Sequence, residues 1–178
     1  MCGSYRICFK DTKIGLSILD EAAKLNINEF AMDDVYPGSD VLTIVPKENK
    51  VTLDVKRWGI PLNKKKLINA RIESLNDKPF YADIKNKRCA VPVTSFYEWN
   101  DSKRYEVQHS EEDLVYLAGI YNDKGEMLIL TGCSENELAK LHDRSPVILK
   151  KDEMLSYLSN RLDPFIDNVN IKITESKI

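Results

Sequence analysis

Short runs of β-branched and aromatic residues dominate the middle of this chain, and they constrain its fold more than any other feature. The runs with this composition are residues 41–45, 51–55, 89–93, 105–107, 114–121 and 127–131. Such runs are typical of β-strands, and turn residues separate them, including Pro37-Gly38 and a hairpin-like loop at 122–125. Because strands follow one another with few helices between them, we expect antiparallel pairing. The sequence predicts an α+β fold with a β-rich, mostly antiparallel sheet.

Helical patterns flank this region on both sides. Residues 14–25 repeat apolar side chains at helical spacing, and Asp11 or Thr12 can cap the helix. Residues 135–141 and 151–160 also carry helical patterns. We therefore expect helices before and after the strands.

The length of 178 residues fits one compact domain. With 43% hydrophobic and 30% charged residues, the chain can bury a core and keep a polar surface. We expect a single domain over residues 1–178, with residues 174–178 as a loose tail. The amino terminus lacks the apolar stretch of a secretory signal, and no run reaches the ~18–20 apolar residues of a membrane span. These patterns predict a cytoplasmic protein without a membrane partner.

The cysteines and histidines give no metal-binding pattern. The four cysteines form no Cys-x-x-Cys pair, and the chain has two histidines. We therefore expect no structural zinc, and unpatterned cysteines suit a reducing compartment. Cys8, Cys89 and Cys133 are expected to be buried as small apolar residues.

Charge is distributed unevenly along the chain. The net charge is −2, but residues 56–104 hold 12 basic and 5 acidic residues, a net of +7 against −9 for the rest. Six aromatic residues, including Trp58 and Trp99, lie in the same window. Cations beside aromatic rings suit a single-stranded nucleic acid, through phosphate neutralisation and base stacking. The alternative is a solvated basic loop with the aromatic rings in the core.

Cys2 acquires distinctive chemistry if Met1 is removed. Its α-amine, with a pKa of about 8, and its thiol, with a pKa of about 8.5, then sit on adjacent carbons. The amine can form a Schiff base with an aldehyde, and the thiol can close the ring to a thiazolidine. Cys2 could equally be the nucleophile of an amidase or peptidase with its own amine as base. It could also be a frayed end without a chemical role.

Three further polar residues occur among apolar neighbours. Glu98 is flanked by aromatic residues, so its pKa can be raised and it can act as an acid or base. His142 follows a helical pattern, and Asn69 lies between apolar residues where its amide must be satisfied or used. Each also has a structural interpretation, as an ion-pair partner for Glu98, a helix-terminal charge for His142 and a cap for Asn69.

Six sequence blocks occur in a fixed order over residues 1 to about 150. They are Met1-Cys2-Gly3, Trp58-Gly59-Ile60-Pro61, Asn69-Ala70-Arg71-Ile72-Glu73, Arg88-Cys89-Ala90-Val91-Pro92, Phe96-Tyr97-Glu98-Trp99 and His142-Asp143-Arg144-Ser145-Pro146-Val147-Ile148-Leu149. Together these blocks resemble the SOS response-associated peptidase family. Six matches in order are far more specific than any one of them.

The resemblance implies a partly barrel-like sheet core with flanking helices and a function in the DNA damage response. It implies binding of single-stranded DNA and covalent capture of abasic sites, without a cofactor, by a monomer located at the nucleoid when bound to DNA. Cys2 matches the crosslinking nucleophile and Asn69 the amide near its amine. Glu98 matches the acid and base of ring opening and Schiff-base chemistry, and His142 a proton donor or acceptor. The family name also implies a peptidase role, and a lyase-like activity goes with the same site.

The resemblance further implies a set of DNA contacts. The matching positions are Gly3, Trp58, Arg71, Trp99, Thr131 and Arg144. Two positions depart from the family pattern, because Ser4 stands where a basic residue is frequent and Gly132 where a second threonine is frequent. Two other functions stay open, a cysteine peptidase or amidase acting on peptides and a non-covalent single-strand binding module.

Overall fold

The computed structural model describes residues 2–167 and 170–176. Within these residues the helices are Lys13–Lys24 (α1), Asn136–Leu141 (α2) and Lys151–Leu158 (α3). Short 3-10 helices lie at Phe9–Asp11, Ile72–Ser74 and Pro79–Tyr81. The strands are Tyr5–Ile7 (β1), Asp33–Val35 (β2), Asp40–Lys47 (β3), Lys50–Trp58 (β4), Ile60–Leu62 (β5), Lys65–Leu67 (β6), Asn69–Arg71 (β7), Arg88–Val93 (β8), Ser95–Asn100 (β9), Lys103–His109 (β10), Val115–Tyr121 (β11), Glu126–Cys133 (β12), Arg144–Pro146 (β13), Ile148–Leu149 (β14) and Ile171–Ser176 (β15).

Helix α1 begins where the sequence predicts it. Thr12 is the N-cap, and its hydroxyl accepts a hydrogen bond of 2.8 Å from the backbone N–H of Gly15. This bond satisfies one of the N–H groups that have no partner within a helix. Ile18 and Ala22 are buried and fix the inner face of the helix against the core.

Most of the strands form one sheet that closes on itself. The ring runs from β12 through β4, β3, β8 and β11 and returns to β12. All of these pairs are antiparallel except β4 with β12. Every ring strand contributes to the core, which includes the buried side chains of Ile44, Trp58, Val91, Leu117 and Ile129. The predicted α+β fold with a mostly antiparallel, partly barrel-like sheet is confirmed.

Three short strands attach to this ring. Strand β7 pairs in parallel with β12, and β13 pairs antiparallel with the same strand. Strand β14 pairs with β11. Helix α3 packs over β11, and the hydroxyl of its Tyr157 donates a 2.9 Å hydrogen bond to the Gly119 carbonyl. Strand β12 is therefore the hub that holds segments from distant parts of the chain.

A second sheet of five strands has the order β15-β10-β9-β1-β2. Its edge strand β15 pairs with β10 from Ile171 to Ser176. The expected loose tail at 174–178 is therefore wrong for residues 174–176, and residues 177–178 lie outside the described part. The reason is the alternation of the half-buried Ile171 and Ile173 with polar residues, which gives this short segment an inner face. No helix in the described residues is long and apolar enough to cross a membrane.

Candidate active site

Strand pairing brings the amino terminus beside Glu98. Strand β1 runs antiparallel to β9 with Tyr5 opposite Phe96, and the pairing continues as the backbone N–H of Tyr97 donates to the Ser4 carbonyl at 3.1 Å. Continued in the same register, the chain from Ser4 back to Cys2 runs along Glu98. Both Cys2 and Glu98 are buried, with 0% and 2% of their surface exposed.

Asn69 contacts the backbone of Cys2. Strand β7 holds Asn69 against the hub strand, opposite Ile129. The side-chain Nδ2 of Asn69 donates a 2.9 Å hydrogen bond to the backbone carbonyl of Cys2. The Oδ1 atom of the same amide is buried, and no described residue donates a hydrogen bond to it. A buried acceptor of this kind is available for a further donor.

Burial sets the protonation states at this site. Desolvation raises the pKa of the Cys2 thiol well above its usual range, and the charge of nearby Glu98 raises it further. Desolvation also raises the pKa of Glu98, against an opposing contribution from His142. The thiol of Cys2 lies 3.8 Å from the Ser4 carbonyl, which is its acceptor. The site therefore holds a neutral thiol next to a carboxyl group whose pKa lies above that of an ordinary glutamate.

His142 lies at the end of α2 with 28% of its side chain exposed. Its Nδ1 accepts a 2.9 Å hydrogen bond from the backbone N–H of Arg144. Asp143 Oδ1 is 3.0 Å from the same nitrogen, a contact that becomes an ion pair only when Nδ1 is protonated. Because the backbone N–H always donates, we assign Nδ1 as the acceptor and Nε2 as the protonated nitrogen of the neutral ring.

Arg144 is held in a buried polar cluster beside this histidine. Its guanidinium forms a two-pronged ion pair with Glu73, and its Nη2 donates to the Thr131 carbonyl at 2.8 Å. Arg144 has 9% of its surface exposed and Thr131 has 1%. The pair lowers the pKa of the Glu73 carboxyl to about 2. In this arrangement the Arg144 side chain links strand β13 to strand β12. A contact from Arg144 to a DNA phosphate stays a prediction.

Glu73→Gln is expected to lower the free energy of unfolding by about 1–2 kcal/mol at pH 7, because it leaves the buried Arg144 without its counter-charge. The estimate is modest since the Glu73 side chain is 47% exposed. A lowered folded-state pKa contributes stability above the unfolded-state pKa of about 4.3. The difference between wild type and variant should therefore shrink as the pH falls toward 2. Urea unfolding at several pH values measures this, with Glu137→Gln in an exposed pair as the control.

The remaining predicted DNA contacts differ in accessibility. Gly3, Arg71 and Trp99 are exposed, with Trp99 at 48%, so all three can reach a ligand. Trp58 has no exposed surface; its ring lies 5.4 Å from that of Tyr5, and its Nε1 donates to the Ile68 carbonyl at 3.0 Å. The expected DNA contact at Trp58 is thus not accessible in this conformation, because the indole packs in the core.

The uneven charge along the sequence is largely neutralised in the fold. Six of the basic residues in the window 56–104 form ion pairs with acidic residues from outside it. These pairs are Lys56–Asp54, Arg57–Asp40, Lys87–Asp123, Arg88–Asp163, Lys103–Glu175 and Arg104–Asp34. The other six basic residues of this window form no ion pair with a described residue; they are Lys64, Lys65, Lys66, Arg71, Lys78 and Lys85. Within residues 56–104, the positive charge that lacks an ion-pair partner therefore comes from this second set.

The other cysteines only partly follow the sequence prediction. Cys89 is buried, whereas Cys8 is half-buried and Cys133 is exposed. Cys133 ends strand β12, where its sulfur lies 3.5 Å from Glu73 Oε1. The expectation of burial is wrong for Cys133 because the strand leaves the core at its last residue. Among the described residues, no group of three or more His, Cys, Asp or Glu side chains could hold a metal ion.

Comparison with protein families gives a match along nearly the whole chain. The model of the SOS response associated peptidase (SRAP) family matches residues 1–171. This chain belongs to the SRAP family. The predicted family is thus confirmed.

Relatives and solved structures agree with this membership. The abasic site processing protein YobE of Bacillus subtilis is 31% identical over 168 residues, covering 79% of this chain and 77% of YobE. The abasic site processing protein YoaM of the same organism is 33% identical over 147 residues, covering 71% of this chain and 65% of YoaM. A crystal structure of a protein from Bacteroides thetaiotaomicron superposes with a TM-score of 0.73 at 21% identity, covering 99% of this chain and 92% of that one. The last comparison shows that the two proteins share a fold.

The two departures from the SRAP pattern lie at closely packed positions. Ser4 is buried, with 6% of its surface exposed. At Gly132, an added Cβ would lie 2.4 Å from Cγ1 of Ile166, so a threonine would require Ile166 to move.

No functional or structural role is predicted for Glu73 from the sequence. The one feature that could have drawn attention to Glu73 is its place at the end of the Asn69–Glu73 block, two residues after the predicted phosphate contact Arg71. The pairing of Glu73 with Arg144 depends on β7 and β13 flanking the same hub strand, which no local pattern reveals.

Proposed function

We propose that this protein binds single-stranded DNA and captures abasic sites covalently through Cys2, which shields the lesion. The observation that carries the proposal is the single buried cluster formed by Cys2, Asn69 and Glu98, with His142 acting on the same carboxyl group. Relatives named as abasic site processing proteins support the same substrate. The four residues come from one chain, so a monomer suffices, and its proposed location is on DNA in the cytoplasm.

The chemistry begins at the α-amine of Cys2, which becomes free when Met1 is removed. Met1 itself lies outside the described residues. The amine attacks the aldehyde carbon of the ring-opened abasic sugar. Protonated Glu98 then gives its proton to the departing hydroxyl, so that water leaves and an iminium ion remains. A general acid of this kind contributes about 100- to 10,000-fold in rate.

Ring closure uses the thiol and returns the proton. The Glu98 carboxylate accepts the thiol proton as the sulfur attacks the iminium carbon, which gives a thiazolidine and regenerates protonated Glu98. The raised pKa of the thiol keeps sulfur protonated until the carboxylate is present to accept the proton. Asn69 positions the Cys2 backbone through its hydrogen bond, and its buried Oδ1 can accept a hydrogen bond from the α-amine.

The test compares two oligonucleotides that differ only in the aldehyde. Purified protein whose intact mass shows loss of Met1 should form a denaturation-resistant adduct with an abasic oligonucleotide, with a mass increase equal to the DNA minus one water. An oligonucleotide with a reduced sugar, which has no aldehyde, should give none. Equal binding to both without any adduct would favour a non-covalent binding module. Turnover of a peptide library without an adduct would favour the peptidase alternative.

A further inference from the structure

The hairpin of β5 and β6, residues 60–67, carries an uncompensated positive charge. Lys64, Lys65 and Lys66 follow one another at its tip, and all three are exposed. None of them forms an ion pair with a residue that the structure describes, whereas six other basic residues of the window 56–104 are paired. The two strands pair only with each other. The hairpin therefore presents three cations to solvent.

Both ends of this lysine hairpin are fixed beside the candidate active site. Before it, Trp58 donates from its indole to the Ile68 carbonyl, which lies directly after the hairpin. The next residue, Asn69, donates to the carbonyl of Cys2. Lys66 and Asn69 are three positions apart in the sequence, a span of at most about 11 Å along the backbone. The cations thus lie within reach of a strand whose abasic sugar is at Cys2.

Two glycines make room for the side chain of Lys66. An added Cβ on Gly59 would lie 2.5 Å from Lys66 Cδ, and one on Gly38 would lie 2.8 Å from Lys66 Nζ. Gly38 has a φ of +98° and lies in a tight turn, closed by a 3.1 Å bond from the Ser39 N–H to the Tyr36 carbonyl. The ammonium group of Lys66 is therefore held against this turn.

Tyr36, the first residue of the turn, is an exposed aromatic side chain. It follows Val35, which pairs with Tyr5 across β1 and β2, so it lies alongside the chain that leads to Cys2. Half of its surface, 51%, is exposed. On the hairpin itself, Leu62, Leu67 and the lysine side chains line a pocket with a volume of about 540 Å³. This surface combines cations with aromatic and apolar groups.

We propose that the lysine hairpin and Tyr36 bind the single strand on one side of the abasic site, with the lysines on phosphates and Tyr36 stacked on a base. This inference rests on the proposed function. The chemistry fits, because lysine ammonium groups neutralise phosphates and an exposed aromatic ring can stack on a base. The lysines also supply the positive charge that Ser4 does not.

Binding of an intact single strand to the Cys2→Ala protein tests the proposal without covalent capture. In the variant with Lys64, Lys65 and Lys66 all changed to Gln, affinity at low salt should fall at least about 10-fold. The slope of log affinity against log salt should become shallower by about 2, at ~0.7 per phosphate contact of a single strand. Tyr36→Ala should weaken binding by about 5- to 100-fold with the salt slope unchanged, and Tyr36→Phe should restore it.

The matched control changes Lys47, Lys50 and Lys151 to Gln. These lysines are exposed and form no ion pair with a described residue. Lys50 begins β4, about 25 Å from Trp58 at the other end of that strand, and Lys47 is its partner at the end of β3. Affinity and salt slope should equal those of the parent protein. If the triple lysine variant misfolds by circular dichroism, Lys64→Gln and Lys65→Gln are measured singly, each with a slope change of about 0.7.

Unchanged affinity and salt slope in a folded hairpin variant would overturn the proposal, as would an equal loss in the control. Failure of the proposed function has a different signature. In that case wild-type protein forms no adduct with an abasic oligonucleotide, while the effects of the hairpin on binding persist.

Discussion

Cys2→Ser is expected to abolish the denaturation-resistant adduct while leaving an intermediate that borohydride can trap. Serine at position 2 keeps the α-amine after Met1 is removed, so the iminium ion still forms. Its hydroxyl is a much poorer nucleophile than sulfur, so the ring does not close and water reverses the reaction. Gel electrophoresis under denaturing conditions, with and without borohydride, measures both species.

The matched control is Cys133→Ser. Cys133 is the exposed cysteine, but its sulfur has no α-amine on the adjacent carbon. This variant should form the adduct at the wild-type rate. A stable adduct from Cys2→Ser without borohydride, or its loss in Cys133→Ser, would show that the assignment of the nucleophile is wrong.

Glu98→Gln is expected to slow adduct formation by about 100-fold or more, because the amide cannot pass a proton to the departing hydroxyl. The wild-type rate should fall on the alkaline side as Glu98 loses its proton. Burial raises the pKa of this carboxyl, so the fall should occur at a higher pH than an ordinary glutamate would allow. Single-turnover rates from pH 5 to 9 measure this limb, which the glutamine variant should lack.

The free energy of unfolding distinguishes an acid–base role of Glu98 from a structural one. A carboxyl group whose folded-state pKa is raised favours the folded state below its unfolded-state pKa and loses that contribution as the pH rises through the folded-state value. At pH 7 the Glu98→Gln protein should therefore be at least as stable as wild type. Its affinity for single-stranded DNA should also be unchanged. A variant that melts lower and binds weakly would point to a structural function for Glu98.

The larger elements of the fold could be predicted from the sequence. The long β-branched runs became β3, β4, β8, β11 and β12, and the helical patterns became α1, α2 and α3. The three-residue strands β1, β2 and β7 could not be predicted, because their conformation comes from pairing with distant partners. The closure of the ring depends on those same long-range pairs.

The site was predictable as a set of residues and unpredictable as an arrangement. The ordered blocks drew attention to Cys2, Asn69 and Glu98, which the fold brings together. Sequence could not reveal that Trp58 is covered by Tyr5 or that Glu73 holds Arg144, since both depend on packing between remote segments. The net charge of the window 56–104 overstated the positive surface for the same reason. Six of its basic residues pair with acidic residues elsewhere in the chain.

Because Cys2 is completely buried in the folded protein, we expect Met1 to be removed mainly before folding is complete. An aminopeptidase must reach the Met1–Cys2 bond, and Cys2 exposes no atom once the fold has formed. Glu98 is synthesised 96 residues after Cys2, which corresponds to roughly 5–20 s at ~5–20 residues per second. During that interval the nascent chain is open to processing, and we expect the removal of Met1 to be slower after folding. Rapid overexpression should therefore yield a fraction that retains methionine and stays inert until it is unfolded and trimmed.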